Sequence, residues 1–200
     1  MNTAIIILAA GASSRMGMPK QLLMIEGKTL IKRVAEMSLD TPCHPIVVVL
    51  GANRTDIKGE LDKMPITIIE NPKWEDGMSS SIKMGLVGAY MTQKDIDAVL
   101  FLTVDMPYVS VNLINKMIIE ANQNTDSQIV ACKYEGNLGI PVLFKRSLFN
   151  DLLELKGDEG AKKIVKQNKD KTTFVDFPEG KYDLDTIDEY WNFTENHNQN

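Results

Sequence analysis

Along the first two thirds of the chain, short β-branched apolar runs alternate with longer stretches whose apolar positions recur at helical spacing. Thr3–Leu8, Pro45–Leu50, Ile66–Glu70 and Ala98–Thr103 predict strands. Leu30–Leu39, Asn53–Asp62, Ser80–Tyr90 and Val111–Asn122 predict helices. The strand segments are nearly continuous in apolar residues, as in Ile46-Val47-Val48-Val49-Leu50. Such a run suits a strand covered on both faces. Strand–helix alternation implies right-handed crossovers, so the pattern predicts an α/β fold: a three-layer, open, mostly parallel sheet with helices on both faces. Near residue 125 the rhythm changes. Gln128–Lys133 and Gly139–Phe144 read as strands joined through Tyr134–Leu138, followed by helices at Arg146–Leu155 and Glu159–Gln167, a strand at Thr172–Asp176 and a helix from about Ile187. The polar tail Glu195–Asn200 is expected to fray. With no repeat, low-complexity block or linker, residues 1–200 are expected to form one domain, in halves 1–125 and 126–200.

Composition narrows the function classes without choosing among them. Two hundred residues, 44% hydrophobic and 24% charged, describe an ordinary globular chain able to bury a sizeable core. A formal net charge of −5 argues against a general nucleic-acid binder, which needs a basic footprint to displace counterions. A local anionic ligand stays compatible with it. The one basic run, Lys162, Lys163, Lys166, Lys169 and Lys171, reads as a solvated helix face and its exit. Cys43 and Cys132 lack metal or disulfide spacing and are expected to be reduced, buried or half-buried thiols, as in a cytoplasmic protein. No basic segment precedes the first apolar run, and no run approaches membrane-spanning length. Neither a signal peptide nor a membrane partner is therefore expected.

The unusual residues fall where strands are expected to end. The segment Ile7-Leu8-Ala9-Ala10-Gly11-Ala12-Ser13-Ser14-Arg15-Met16-Gly17-Met18-Pro19-Lys20 breaks from an apolar run into small residues carrying two cations. Small side chains let backbone N–H groups approach an anion, and Arg15 and Lys20 add full charge, so a phosphate-binding loop is predicted. It is not a P-loop, since five residues separate Gly11 from Gly17 and Met18 follows. The dinucleotide fingerprint fails at Ser13 and Met16. Taken alone, the segment also reads as an ordinary strand–loop–helix turn. Ligands of open α/β sheets bind outside the carboxyl ends of the strands. There the third strand runs into Asn71–Ser81 and the fourth into Thr103-Val104-Asp105-Met106-Pro107, so three loops are expected to share one crevice.

Asp105, taken alone, reads first as a cap or turn former. In Asp183-Leu184-Asp185-Thr186 both aspartates would point to one side of an extended segment, and Asp185 could equally cap the following helix. Beside a phosphate loop, two such carboxylates gain a further meaning. Mg²⁺ is held by one or two carboxylates plus substrate phosphates and keeps water elsewhere. Arg15 and Lys20 would neutralise charge that moves as a phosphoryl or nucleotidyl group transfers. Histidine is scarce, and neither His44 nor His197 sits in a motif. That suits transfer to a phosphate acceptor, whose second pKa of ~6 leaves the nucleophile largely ionised. Ser13, Ser14, Ser79, Ser80 and Ser81 lack a nucleophile elbow or adjacent base. Hydrogen bonding to ligand, or capping for Ser80 and Ser81, is their expected role.

Leu8-Ala9-Ala10-Gly11-Ala12-Ser13-Ser14-Arg15-Met16-Gly17-Met18-Pro19-Lys20 resembles the signature of sugar-nucleotide pyrophosphorylase-type nucleotidyltransferases. Asn71–Ile82, Asp105-Met106-Pro107, Pro141-Val142-Leu143-Phe144, Gly157-Asp158-Glu159-Gly160-Ala161 and Asp183-Leu184-Asp185-Thr186 follow in an order similar to the MobA-like group, and within it to molybdenum cofactor cytidylyltransferases. The resemblance covers residues 3–191. It implies a nucleotide-binding first half and an acceptor-binding second half. The implied reaction moves CMP from CTP to molybdenum-molybdopterin with release of pyrophosphate, and an apo molybdenum hydroxylase of the xanthine dehydrogenase type is the implied downstream partner. Carried over by position, Leu8, Ala9, Ala10, Gly11, Ser13, Arg15, Lys20, Ser79 and Ser80 bind nucleotide. Arg15, Lys20 and Asp105 are the catalytic set, and Asp105 and Asp185 are the Mg²⁺ ligands. Three departures stand out: Ile140 where relatives place His before Pro, Lys162 in place of Arg, and no Pro at the start of the last helix. A transferase using another NTP or a phosphorylated sugar or alcohol is the alternative within enzymes. A non-catalytic molybdenum cofactor carrier is the alternative outside them.

Overall fold

The structure is a computed structural model that describes residues 1–197. In its first half the elements are β1 (Thr3–Ala9), β2 (Met24–Ile25), β3 (Lys28–Thr29), α1 (Leu30–Leu39), β4 (Ile46–Leu50), α2 (Arg54–Glu60), β5 (Thr67–Glu70), α3 (Met78–Thr92), β6 (Ala98–Thr103) and α4 (Val111–Gln123). In its second half they are β7 (Ile129–Tyr134), β8 (Asn137–Lys145), α5 (Phe149–Glu154), α6 (Lys162–Gln167), β9 (Thr172–Asp176) and α7 (Ile187–His197). Seven strands form one sheet in the order β5-β4-β1-β6-β8-β7-β9. β8 runs antiparallel to both of its neighbours, and the remaining pairs are parallel. The expected open, mostly parallel α/β sheet is the observed one.

Strand β1 shows why. All seven of its residues are buried, because alternate side chains serve two cores. Ile5, Ile7 and Ala9 join a cluster with Leu30, Ile31 and Val34 of α1 and Ile114 and Met117 of α4. Ala4, Ile6 and Leu8 join the opposite cluster with Ile82, Leu86 and Ala89 of α3 and Leu152 and Ile164 of α5 and α6. Helix α3 comes unusually close to the sheet. A Cβ on Gly85 would lie 2.4 Å from Ile6 Cγ2, and one on Gly88 would lie 2.6 Å from Ile69 Cγ1. Phe101 of β6 and Phe144 of β8 meet edge to face, with centroids 6.1 Å apart, where the sheet changes from parallel to antiparallel.

The second half departs from the sequence reading in its joints. The strands flanking the expected crossing lengthen to Tyr134 and Asn137 and leave a two-residue turn, Glu135-Gly136, with φ of 49° and 76°. The small β2–β3 hairpin, absent from the sequence reading, turns on Glu26-Gly27 with φ of 50° and 77° in the same way. Left-handed φ at both central residues matches the right-handed twist of hairpin strands. The helix expected from Glu159 begins only at Lys162. Upstream the backbone closes a turn instead, in which Glu159 N–H donates to the Lys156 carbonyl and Glu159 Oε2 accepts from Lys156 N–H at 2.9 Å. Arg146–Leu155 resolves into a 3₁₀ turn, Arg146–Leu148, followed by α5. Of the tail expected to fray, Glu195–His197 belongs to α7, and 198–200 lie outside the described residues. Both cysteines are free and fully buried, and burial pushes the Cys43 thiol up to about 11 and the Cys132 thiol up to about 12. Among the described residues no helix is long and apolar enough to cross a membrane.

Candidate active site

β1 delivers the chain to Ala9, and the loop beyond it is braced from beneath by Gln21. That side chain is buried, and its amide donates to the carbonyls of Ala9 and Gly11 at 2.9 Å each. Ala52 N–H takes the Ala10 carbonyl at 3.0 Å. Three successive carbonyls are thereby turned into the protein. The outer edge of the loop, Gly11 to Arg15, lines a cleft of 630 Å³. Ser13 adopts φ of 56°, and its Oγ accepts from the Lys20 N–H at 3.1 Å, which folds the loop back on itself. Met16 anchors its middle in the core.

Lys20 sits at the junction of two carboxylates. Its Nζ lies 2.8 Å from Asp105 Oδ2 and 2.7 Å from Asp185 Oδ1, while Arg15 reaches Asp185 Oδ2 at 2.6 Å. Asp105 arrives from the end of β6. Its backbone carbonyl accepts from Leu184 N–H at 2.9 Å, which brings the segment carrying Asp185 alongside. Burial works against the charge on Lys20, but Asp105 and Asp185 outweigh it and hold its pKa above the ordinary lysine value. Burial likewise opposes ionisation of Asp185, and Lys20 and Arg15 outweigh it, so this carboxyl sits below the ordinary value. Asp183 shifts the other way: burial and the neighbouring charge of Asp185 raise it.

The even choice between cap and ligand for Asp185 resolves locally. Glu189 Oε2 accepts from the backbone N–H groups of Asp185 and Thr186 at 2.9 and 2.7 Å, and Glu189 N–H donates to Thr186 Oγ1 at 3.3 Å. This reciprocal pair is a capping box, so α7 is capped by Thr186 and the Asp185 side chain is left for the cleft. Pro is not needed to start the helix.

The loop after β5 is organised by Asn71, buried at its root. Its Nδ2 donates to Ser80 Oγ at 2.8 Å and Ser81 Oγ at 3.0 Å, and its Oδ1 accepts from Lys73 N–H. Ser79 and Ser80, expected as ligand contacts, do not line the cleft. Ser79 N–H donates to the Gly157 carbonyl, and Ser80 Oγ lies 2.8 Å from the carbonyls of both Lys73 and Gly77. The 100° rotation per helical residue carries Ser81, with Met78, to the cleft wall instead. Gly77 has φ of 97°, and a Cβ there would sit 2.5 Å from the Gly157 carbonyl. Only glycine lets the second half of the chain close against this loop and bring Asp158 to the cleft. The sequence carries no signal for Gln21, and none for Asp158 beyond its Gly157–Ala161 motif, whereas Asn71, Trp74 and Ser81 fall in the loop expected at the crevice.

A second cleft, of 890 Å³, opens from the other half of the molecule. Tyr134, Asn137, Ile140 and Asp183 line it, as do Lys162, Lys166, Lys169 and Lys181. Three of the five lysines read as a solvated helix face therefore border a cavity, although all three are exposed. Thr103, Asp105 and Asp185 are shared by both clefts. The two carboxylates stand where a ligand in one cleft would meet a ligand in the other.

Such an α/β sheet, with a small-residue cationic loop facing paired carboxylates, suits a nucleotidyltransferase. The chain matches the MobA-like NTP transferase domain over residues 5–172 and belongs to that family. It is 28% identical over 194 residues to nicotine blue oxidoreductase of Paenarthrobacter nicotinovorans, covering 93% of each chain. It is 27% identical over 187 residues to the molybdenum cofactor cytidylyltransferase of Escherichia coli K12, covering 92% of each. A nucleotidyl transferase from Methanothermobacter thermautotroptrophicus shares the fold with a TM-score of 0.81 at 19% identity, over 98% of this chain and 97% of that one. Rv0371c of Mycobacterium tuberculosis, crystallised as a complex with manganese, gives 0.75 at 23%, over 98% and 99%.

The family typically depends on a divalent metal, and the donor set here fits one. Two carboxylates lie within hydrogen-bond distance of a single ammonium, hence close enough to share one cation. Both offer hard oxygen ligands of the kind Mg²⁺ takes, one or two at a time, alongside phosphate oxygens.

Proposed function

We propose that the protein is a Mg²⁺-dependent cytidylyltransferase that moves CMP from CTP to the terminal phosphate of molybdenum-molybdopterin. The observation that carries this reading is the sharing of Asp105 and Asp185 between the two clefts. CTP occupies the first cleft, formed largely by residues 1–125, with its phosphates over Leu8, Ala9, Ala10, Gly11 and Ser13. The acceptor enters the second, built largely from residues 126–200. An acceptor phosphate oxygen attacks the α-phosphorus, a new P–O bond forms, and the bond from that phosphorus to the bridging oxygen of pyrophosphate breaks. Lys20 and Arg15 neutralise charge on the phosphates and on the leaving pyrophosphate. Bound at Asp105 and Asp185, Mg²⁺ supplies further charge neutralisation. No general base is required, since a phosphate monoester is largely dianionic at neutral pH. The product is molybdopterin cytosine dinucleotide, and an apo molybdenum hydroxylase of the xanthine dehydrogenase type is the proposed recipient.

The likeness to the E. coli cytidylyltransferase over nearly the whole chain supports both acceptor and base, and Ala10 in place of a second glycine before Gly11 supports the base. The test is pyrophosphate release from each of CTP, GTP, ATP and UTP with Mg²⁺ and molybdenum-molybdopterin. CTP is expected to give turnover, and Asp105→Asn to abolish it with the fold intact. A preference for GTP refutes the base assignment, and turnover with a sugar phosphate instead refutes the acceptor. Redox turnover without pyrophosphate would move the chain to the class stated in the name of its P. nicotinovorans relative.

A further inference from the structure

The second cleft carries charge of both signs. Asp105, Asp183 and Asp185 line it, and so do Lys162, Lys166, Lys169 and Lys181. Among the described residues no carboxylate forms an ion pair with any of these four. Lys163, one position away on α6, instead pairs with Glu159 at 2.6 Å. Lys162 reaches β8: its Cε lies 3.4 Å from where a Cβ on Gly139 would be. The same Gly139 position would meet the Tyr134 hydroxyl at 2.3 Å, and a Cβ on Gly180 would meet the Tyr134 ring at 2.6 Å. Tyr134 is thus a fixed wall between two glycines, and Lys162 stands beside it near the carboxylates.

Lys166 follows Lys162 by four residues, about 6 Å along α6, and Lys169 stands on the 3₁₀ turn Lys169–Lys171 just beyond the helix. One reacting phosphate needs only one cation. Lys166 and Lys169 repel each other and Lys162 unless an anion lies between them. We propose that the acceptor carries a second anionic group, about 6 Å or more from its reacting phosphate, held by Lys166 and Lys169. The substrate class is therefore a phosphorylated small molecule with a second, separate negative charge. The inference rests on the transfer reading above, but not on the identity of the base.

The full chain, with Mg²⁺ and a non-hydrolysable CTP analogue bound, is titrated calorimetrically with hexane-1,6-diol bisphosphate and with hexyl monophosphate. These probes share a chain and differ in the second anion. The bisphosphate is expected to bind at least tenfold more tightly. The double variant Lys166→Gln/Lys169→Gln is expected to reduce its affinity to that of the monophosphate, leaving the affinity for the CTP analogue unchanged. Lys163→Gln/Lys171→Gln removes the same charge off the cleft and is expected to preserve the preference. Equal binding of the two probes overturns the inference, as does binding of neither, or loss of the preference in the off-cleft variant. Failure of the CTP analogue itself to bind is a separate result and counts against the transferase reading.

Discussion

Replacing Gly85 by alanine tests how tightly α3, which follows the loop after β5, is seated. A Cβ at this position would lie 2.4 Å from Ile6 Cγ2 and 3.1 Å from Val49 Cγ2, on adjacent central strands. Carbon atoms rest at about 3.5–4.0 Å, so the first contact must open by more than ~1 Å. Ile6 and Val49 are fully buried and β-branched, hence stiff, and cannot swing aside. Overpacking costs about 1–3 kcal/mol, while alanine returns about 0.8–1 kcal/mol of helix propensity. With so short a contact the upper part of the range applies, for a net loss of about 1–2 kcal/mol. At about 2–4 °C per kcal/mol for a chain of this size, Tm should fall by about 2–8 °C. Gly59→Ala is the matched control. It lies in a helix with nothing within 4 Å of its Cβ and should raise stability by about 0.4–1 kcal/mol. Thermal unfolding followed by circular dichroism measures both, and the KM for nucleotide reports whether Met78 and Ser81 have moved. If Gly85→Ala melts at or above the wild-type temperature, the close seating of α3 is wrong.

Three further outcomes are expected. Lys20→Met should lower kcat/KM for pyrophosphate release by about 10²–10³ while thermal unfolding stays cooperative, because the one cation touching both carboxylates is lost; unchanged turnover would remove Lys20 from the site. Thr186→Ala should cost about 0.5–2 kcal/mol through loss of the α7 cap, seen as a lower denaturation midpoint. In the same box the hydrogen bond from Thr186, ahead of burial, holds Glu189 below the ordinary glutamate value. Its contribution is therefore complete above the unfolded-state glutamate pKa and fades as pH falls through the folded one, so the variant and wild type should converge in acid. Cys43 and Cys132, both fully buried with raised pKa values, should resist a disulfide reagent at pH 8 and react only at the unfolding rate. Fast labelling of either in native buffer would contradict their placement.

The strands and most helices were legible because two-sided burial writes itself as unbroken apolar runs, as at Ile46–Leu50. The convergence of Lys20 and Asp105 was legible because strand ends in such a sheet share one edge, whereas Asp185 follows no strand end and was placed with them only by the family resemblance. Gln21 was not. Its role is to hold the carbonyls of Ala9 and Gly11, and that depends on a path of the loop that no local pattern encodes. Ser81 was confused with Ser79 and Ser80 because the phase of α3 is fixed by glycine contacts with the sheet. The lysines of α6 looked solvated because helical spacing gives a face but not what the face borders. The capping box Thr186-Ile187-Asp188-Glu189 was present in the sequence and passed over in favour of Asp185, although it matches a pattern readable without coordinates.

The joining of the Asp105 carbonyl to the Leu184 amide has a consequence in time as well as in space. The two halves of the carboxylate pair are separated by about 80 residues of chain. At about 5–20 residues per second, a ribosome delivers the second roughly 4–16 s after the first. Over that interval the phosphate loop, Lys20 and Asp105 have all emerged, and the partner carboxylate has not. The Lys20 ammonium therefore meets Asp105 first and Asp185 only after β7, β8 and β9 have all been made.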